Sequence, residues 1–201
     1  MSSKLIKVGI TQGDINGVGL EVVIKTFTDP VMMEICTPVL FSSQKTVSYH
    51  RKALGMEDFI FNNIRDFSTL NNQRPNLFNC YEEEVNIELG KSTPLAGKYA
   101  LKSLEAASEA MVKKQIDVLV TAPINKHNIQ SDSFKFKGHT EYLEQKFGEP
   151  GGALMLMVSE SLKVGLVTGH IPVANISATI TTEKIEKKLK ILKKQFQKRL
   201  S

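Results

Sequence analysis

Four short segments of this 201-residue chain hold residue types from which a binding or catalytic site can be built. Gly9 to Glu21 places glycines at 13, 17 and 19 ahead of an apolar stretch. Glycines let backbone approach a ligand, and free amides at a helix start attract anions. The spacing matches neither the dinucleotide fingerprint nor the P-loop, so a tight structural turn explains it as well as an anion cradle does. Asp14 in that loop is a candidate polar contact, and Asp is also a good turn residue. Thr121 to Lys126 (TAPINK) follows an apolar run, where Asn125 and Lys126 suit a phosphate or carboxylate, or simply cap a loop. In Gly138-His139-Thr140-Glu141, His139 and Thr140 offer adjacent hydrogen-bonding groups to an anionic or hydroxylated ligand. Thr140 serves equally as a helix N-cap. Val164 to Pro172 (VGLVTGHIP) ends in His170, held by a stiff turn, where imidazole suits a metal or general-base role. One histidine does not make a metal site, and no HxxxH or CxxC spacing supports it.

These segments need a scaffold, and the hydropathy pattern supplies one. Leu5 to Thr11, Pro38 to Ser42 and Ile116 to Ala122 read as short buried strands, the last as a central strand apolar on both faces. Helices are expected from the glycine loop to about Thr28, over Ser43 to Leu54 with Ser42 or Ser43 as cap, and over Pro94 to Gln115. Phe59 to Asn62 and Phe78 to Val85 read as edge strands, and Asn71 to Asn79 as a turn-rich link. Ala153 to Ser159 and Leu162 to Thr168 read as two strands joined at Glu160-Ser161, and Phe134 to Gly152 as a hinge. Near-continuous apolar strands alternating with helices predict an α/β sheet covered on both faces. The ends of such strands are where the second and fourth segments fall, and ligands of open α/β sheets bind there.

Composition bounds the class. Hydrophobic residues make up 41% and charged residues 23%, which excludes disordered and collagen-like chains. No apolar run is long enough to span a membrane, and Met1 to Ile10 lacks a signal-peptide core. Two cysteines, Cys36 and Cys80, fit a reduced, cytoplasmic protein. The net charge of +5 is local. Between Thr182 and Ser201 eight basic residues face two acidic ones, a net of +6, so the rest of the chain carries −1. Ile185, Leu189, Leu192, Phe196 and Leu200 form one helical stripe there, which reads as a packed helix with a solvated cationic face rather than an anionic-surface binder.

Taken together and in this order, ITQGDINGVGLEV (Ile10 to Val22), TAPINK (Thr121 to Lys126), GHTEYL (Gly138 to Leu143) and LVTGHIP (Leu166 to Pro172) resemble the N-terminal portion of the 4-hydroxythreonine-4-phosphate dehydrogenase family of pyridoxal phosphate biosynthesis. The resemblance implies a two-lobed α/β/α architecture similar to isocitrate and isopropylmalate dehydrogenases, here truncated at the C-terminus. It implies residues 1–125 in the first lobe and 126–201 as the start of the second. It further implies a cytoplasmic homodimer with a shared site and no nucleic-acid or membrane partner. The cofactors would be NAD and a divalent metal (Zn, Mg or Co) held by three histidines. The reaction would oxidise 4-phosphooxy-L-threonine, with decarboxylation of the resulting 3-oxo acid. By motif, His139 and Thr140 fall on the substrate-binding pair and His170 on the first metal histidine. Asp14, Asn125 and Lys126 lie in cleft motifs without assigned roles, and the catalytic residues stay unknown.

Two departures qualify the implication. The family has proline where Ile15 and Leu20 stand, a change in stiffness rather than in ligands. More seriously, the family's Asn-Pro-His-Ala-Gly and later His-Asp segments, which carry its other metal histidines, are absent, and His50 and His127 sit too early to replace them. The chain by itself is therefore expected to be inactive and to bind metal poorly. The competing readings are a paralogue acting on a phosphorylated sugar acid (D-threonate or D-erythronate 4-phosphate), a non-catalytic fragment and, least supported, a nucleic-acid binder using the basic tail.

Overall fold

A computed structural model describes residues 5–148 and 152–200, with side chains as far as Lys194. The chain divides into two compact units, one ending at His139 and the other beginning at Thr140. The boundary falls inside the glycine- and lysine-rich Phe134 to Gly152 segment.

The first unit is built on a parallel sheet. In chain order its elements are β1 (Ile6–Thr11), α1 (Gly19–Phe27), the short α2 (Met32–Ile35), β2 (Cys36–Ser42), α3 (Gln44–Ala53), β3 (Asn62–Ile64), β4 (Asn76–Asn79), α4 (Pro94–Val112) and β5 (Val118–Thr121). The strands lie in the order β3-β4-β2-β1-β5, all parallel. β2 is interior and buried along its whole length. Its side chains alternate between two cores because a strand has period two. Leu40 joins Ile10, Leu20, Val23, Ile24 and Val47 under α1 and α3. Val39 and Phe41 join Ala107, Ala110 and Ile116 under α4. Both faces of the central strands are thus covered, which is what lets parallel strands be apolar throughout.

Helix starts follow their caps. Ser43 Oγ accepts from Thr46 N at 3.1 Å at the start of α3. Thr93 Oγ1 accepts from Ala96 N at 3.2 Å, with Pro94 in the first helical turn of α4. The aromatic rings of Phe41, Phe67 and Phe78 stack and tilt at centroid separations of 5.3 to 6.3 Å. Both cysteines are free, and burial pushes the Cys80 thiol up to about 12, so it stays protonated.

Several element expectations need correction. The stretch expected to be a central strand ends the sheet: β5 pairs with β1 and, among the described residues, with no other strand. Its Val118 and Val120 are 40% and 51% exposed, although Ile10, the register partner of Val120 on β1, is buried. The expected Phe78 to Val85 strand lies earlier, at Asn76–Asn79, inside the segment expected to be turns, and it is interior between β2 and β3. Asn76 accounts for the shift. Fully buried, it donates from Nδ2 to Pro38 O at 3.1 Å and Asn71 O at 2.8 Å, so a turn-type residue is satisfied inside the sheet. The first edge strand is likewise Asn62–Ile64 rather than Phe59 to Asn62.

The second unit holds α5 (His139–Phe147, whose first residue closes the first unit), the antiparallel hairpin β6 (Leu156–Val158) and β7 (Lys163–Gly165), α6 (Ile176–Thr179) and α7 (Thr182–Leu200). The hairpin turn falls where expected, closed by Ser159 N donating to Leu162 O at 2.8 Å. The basic tail is helical, as its periodicity predicts, with Ile185 and Leu189 of the apolar stripe 38% and 57% exposed. Leu192 of the stripe is half-buried, and Phe196 and Leu200 lie outside the described side chains.

Candidate functional site

In the order β3-β4-β2-β1-β5 the chain steps outward from β1 on one side and then returns to place β5 on the other. The carboxyl ends of β1 and β5 therefore flank the point where the winding reverses, the usual place for a ligand crevice in an open α/β sheet. The first two chemistry-bearing segments of the sequence are the loops that leave these two ends.

Gln12, the first residue past β1, is fully buried. Its Nε2 donates to Tyr99 O at 2.8 Å, while its Oε1 accepts from Ser42 Oγ at 2.5 Å and Tyr81 OH at 2.9 Å. Its backbone amide donates to Ser103 Oγ at 3.0 Å, and that hydroxyl donates to Phe41 O at 2.6 Å. One glutamine thus locks the exit of β1 to β2, α4 and the segment after β4. Burial pushes the Tyr81 phenol up, against its hydrogen bonds with Thr46 and Gln12, so it stays a neutral donor.

The two loops are then sewn together. Asp14 N donates to Pro123 O at 2.9 Å. Asp14 Oδ1 accepts from Asn16 N at 2.8 Å, and Oδ2 accepts from Asn128 Nδ2 at 2.9 Å. Asn125 Oδ1 accepts from His127 N at 2.9 Å and Asn128 N at 3.3 Å, while its Nδ2 donates to Ser92 Oγ at 3.0 Å. Asn16 reaches the α4 cap: its Nδ2 donates to Lys91 O at 2.9 Å and Thr93 Oγ1 at 3.1 Å. On the other side His50 Nε2 donates to Ile15 O at 2.8 Å from the buried face of α3. Burial holds His50 below the usual histidine value, opposed by that hydrogen bond and by the Glu21 carboxylate.

Glycine makes this close approach possible at two places. Gly13 has φ +69°, and a Cβ there would overlap Pro123 O. A Cβ on Gly97, in the first turns of α4, would overlap the backbone of Asn128. The conformational freedom of Gly13 thus serves loop-on-loop packing rather than a ligand.

His139 lies at the first position of α5, half-buried. Burial lowers its pKa, and the nearby Lys126 ammonium pushes the same way, so the imidazole is neutral near pH 7. Its Nε2 is buried without a hydrogen-bond partner in the described structure, as is Asn128 Oδ1. A neutral imidazole with an uncommitted nitrogen beside a cation is suited to grip an anionic or hydroxylated group.

The structure thus brings Asp14 and Asn125 together through Asn128 and sets Lys126 within electrostatic reach of His139. Asp14 has both carboxylate oxygens engaged by the protein, so it is a positioning residue. Lys126 is exposed and Asn125 half-buried. Thr140 and His170 belong to the second unit, both exposed, with Thr140 inside α5 rather than capping it. Among the described residues no group of three or more His, Cys, Asp and Glu is placed to hold a metal. Sequence reasoning missed Gln12, Asn16, His50 and Asn128. For Gln12 the available signal was an amide side chain between a strand end and a glycine; the others owe their place to partners distant in sequence.

A protein-family model described as pyridoxal phosphate biosynthetic protein PdxA matches residues 34–201. A 4-hydroxythreonine-4-phosphate dehydrogenase of Bacteroides thetaiotaomicron is 49% identical over 191 residues, covering 95% of this chain and 52% of that protein. A crystal structure of a 4-hydroxythreonine-4-phosphate dehydrogenase from Burkholderia phymatum superposes with a TM-score of 0.82 at 26% identity, over 94% of this chain and 57% of that one. A terephthalate 1,2-cis-dihydrodiol dehydrogenase from Burkholderia xenovorans shares the fold, with a TM-score of 0.64 at 19% identity. The chain spans about half the length of the curated relatives it matches.

Proposed function

The chain belongs to the PdxA family of pyridoxal phosphate biosynthetic proteins, and on that premise we propose that it forms part of a 4-hydroxythreonine-4-phosphate dehydrogenase. The observation that carries the reading is the 49% identity, over nearly the whole chain, with a protein of that name. In this reading the secondary alcohol of 4-phosphooxy-L-threonine is oxidised with NAD as hydride acceptor, and the 3-oxo acid formed loses carbon dioxide. The working form is a cytoplasmic homodimer. The switch-point loops of the first unit support the substrate-binding role: His139 and Lys126 present a neutral imidazole and a cation to the phosphate, and Asn125 and Asp14 hold the loop that carries Lys126.

The residues present do not by themselves fit the two cofactors. His170 is the one residue matched to the metal motif, and the described residues bring no partners to it. In the loop between β1 and α1, Pro123 and Gln12 backbone atoms fill the spaces beside Gly13 and Gly19, so that only Gly17 is left open to a pyrophosphate.

The test is a chimera in which these residues replace the matching part of the Bacteroides thetaiotaomicron relative. NAD reduction with 4-phosphooxy-L-threonine is expected from the chimera and not from the 201-residue chain. A His139→Ala chimera should show a raised KM with a smaller change in kcat. A folded but inactive chimera, or turnover by the isolated chain, would overturn the reading.

A further inference from the structure

We propose that Asn16-Gly17 is a latent modification site, at which opening of the loop between β1 and α1 converts the asparagine to aspartate or isoaspartate and marks the chain permanently. The proposal rests on the chemistry of the loop and not on the dehydrogenase reading.

The sequence holds one Asn-Gly pair, and it falls in this loop. Glycine has no side chain to shield its amide or to restrict its backbone. In such a pair the Gly17 amide nitrogen attacks Cγ of Asn16. The new N–Cγ bond closes a cyclic imide as the Cγ–Nδ2 bond breaks, and the amide proton leaves with Nδ2 as ammonia. Water then opens the imide at either carbonyl. One opening leaves an aspartate at position 16, and the other leaves an isoaspartyl link that runs through the former side chain. Water is the only co-reactant.

The folded loop withholds both reacting groups. Asn16 is 4% exposed. Its Nδ2 donates to Lys91 O at 2.9 Å and Thr93 Oγ1 at 3.1 Å, and its Oδ1 accepts from Glu88 N at 2.9 Å. Its backbone is pinned as well: the amide donates to Asp14 Oδ1 at 2.8 Å, and the carbonyl accepts from Gly90 N at 2.8 Å. The nucleophile is also committed, since Gly17 N donates to Asp14 O at 3.0 Å. Turning Cγ toward Gly17 N breaks the three side-chain bonds of Asn16, so the reaction has to wait until the loop opens. Gly17 itself is exposed to water.

Part of the lock lies far away in sequence. Asp14 holds Asn16 N with one carboxylate oxygen and Asn128 Nδ2 with the other, so loosening the β5 side of the junction loosens Asn16 too. The converted loop does not close as before. A carboxylate has no hydrogen to give Lys91 O, and it sets a second negative charge two positions from Asp14. The isoaspartyl link also adds a carbon to a main chain that Asp14 and Gly90 hold on both sides of Asn16. An opening of the loop is thereby recorded as a lasting change at the switch point of the sheet.

The test incubates the full 201-residue chain at mildly alkaline pH, native and in urea, and follows position 16 by peptide mass and by isoaspartyl methyltransferase labelling. Conversion should be at least about tenfold slower in the native chain, where it depends on local opening. Gly17→Ala adds a Cβ at an ordinary 3.4 Å from Asp14 O, so the variant should fold. In urea it should slow conversion by at least about fivefold, because the attacking amide is no longer unshielded. Asn128→Ala, folded by circular dichroism, should speed conversion in native buffer by at least about threefold, since a bond that closes the junction is gone. Asn16→Asp should lower the thermal midpoint. Equal rates in native buffer and urea, no effect of Gly17→Ala in urea, an unchanged rate in Asn128→Ala, or a wild-type midpoint for Asn16→Asp would each overturn the proposal. Because the readout is the modification itself, the outcome of the chimera assay has no bearing on it.

Discussion

Asp14 and Asn128, 114 positions apart in sequence, meet at 2.9 Å and close the junction between the β1 and β5 loops. A buried carboxylate holding a backbone amide and a side-chain amide is well satisfied, and each such bond contributes more than a neutral one. Asp14→Ala and Asn128→Ala are each expected to cost about 1.5 to 3 kcal/mol in urea unfolding. The double variant should cost less than the sum, because the two share one bond. Strict additivity would show that the contact is not energetically coupled.

Gly13→Ala and Gly97→Ala should be among the most damaging small substitutions, each at least about 2 kcal/mol, because the added methyl meets carbonyl oxygens of fixed loops. Gly90 is the control. It too has positive φ, +79°, but open space around it, so Gly90→Ala should cost only the left-handed backbone penalty of about 1 kcal/mol. Equal losses at 13 and 90 in thermal unfolding would mean that the loop contact carries no energy.

Stability should fall in mild acid. Burial lowers the folded-state pKa of both His50 and His139 from the usual 6.5. The unfolded chain therefore takes up these protons first, and stability present above about pH 6.5 is lost as pH drops below it. His50→Gln, which retains a donor toward Ile15 O, should flatten part of that slope. An unchanged slope in denaturant titrations between pH 7 and 5 would exclude His50 as a contributor.

Lys126→Met should raise the His139 pKa toward the ordinary histidine value, since one of the two influences lowering it is removed. The ring resonances of His139 followed by NMR against pH report this directly. An unchanged value in the variant would place the ammonium too far away to act.

Much of the fold was legible because it rests on local pattern. The apolar run Ile6 to Thr11, the Ser43 cap and the Thr93-Pro94 start of α4 each carry their own signal. β4 was not legible, because its leading Asn76 looks like a turn residue and is paid for by partners found only in three dimensions. β5 was read as central because its residues are apolar; nothing in a strand's own sequence says which neighbours it has. At the site, Asn125 and Lys126 stood out beside a strand end. Asn128 did not, since its importance comes from Asp14, far away in sequence.

The same long-range stitching sets a timetable for synthesis. Ala122 N on Thr11 Oγ1 spans 111 positions, and Lys7 N on Asp117 Oδ2 spans 110. While the chain emerges from the ribosome, β1 can pair with β2 early, but its other flank must wait until β5 has been made. During that interval the Gly13 loop has no floor beneath it. A chaperone that shields a bare strand edge would find one along β1 in the nascent chain, an edge that β5 covers once it is made.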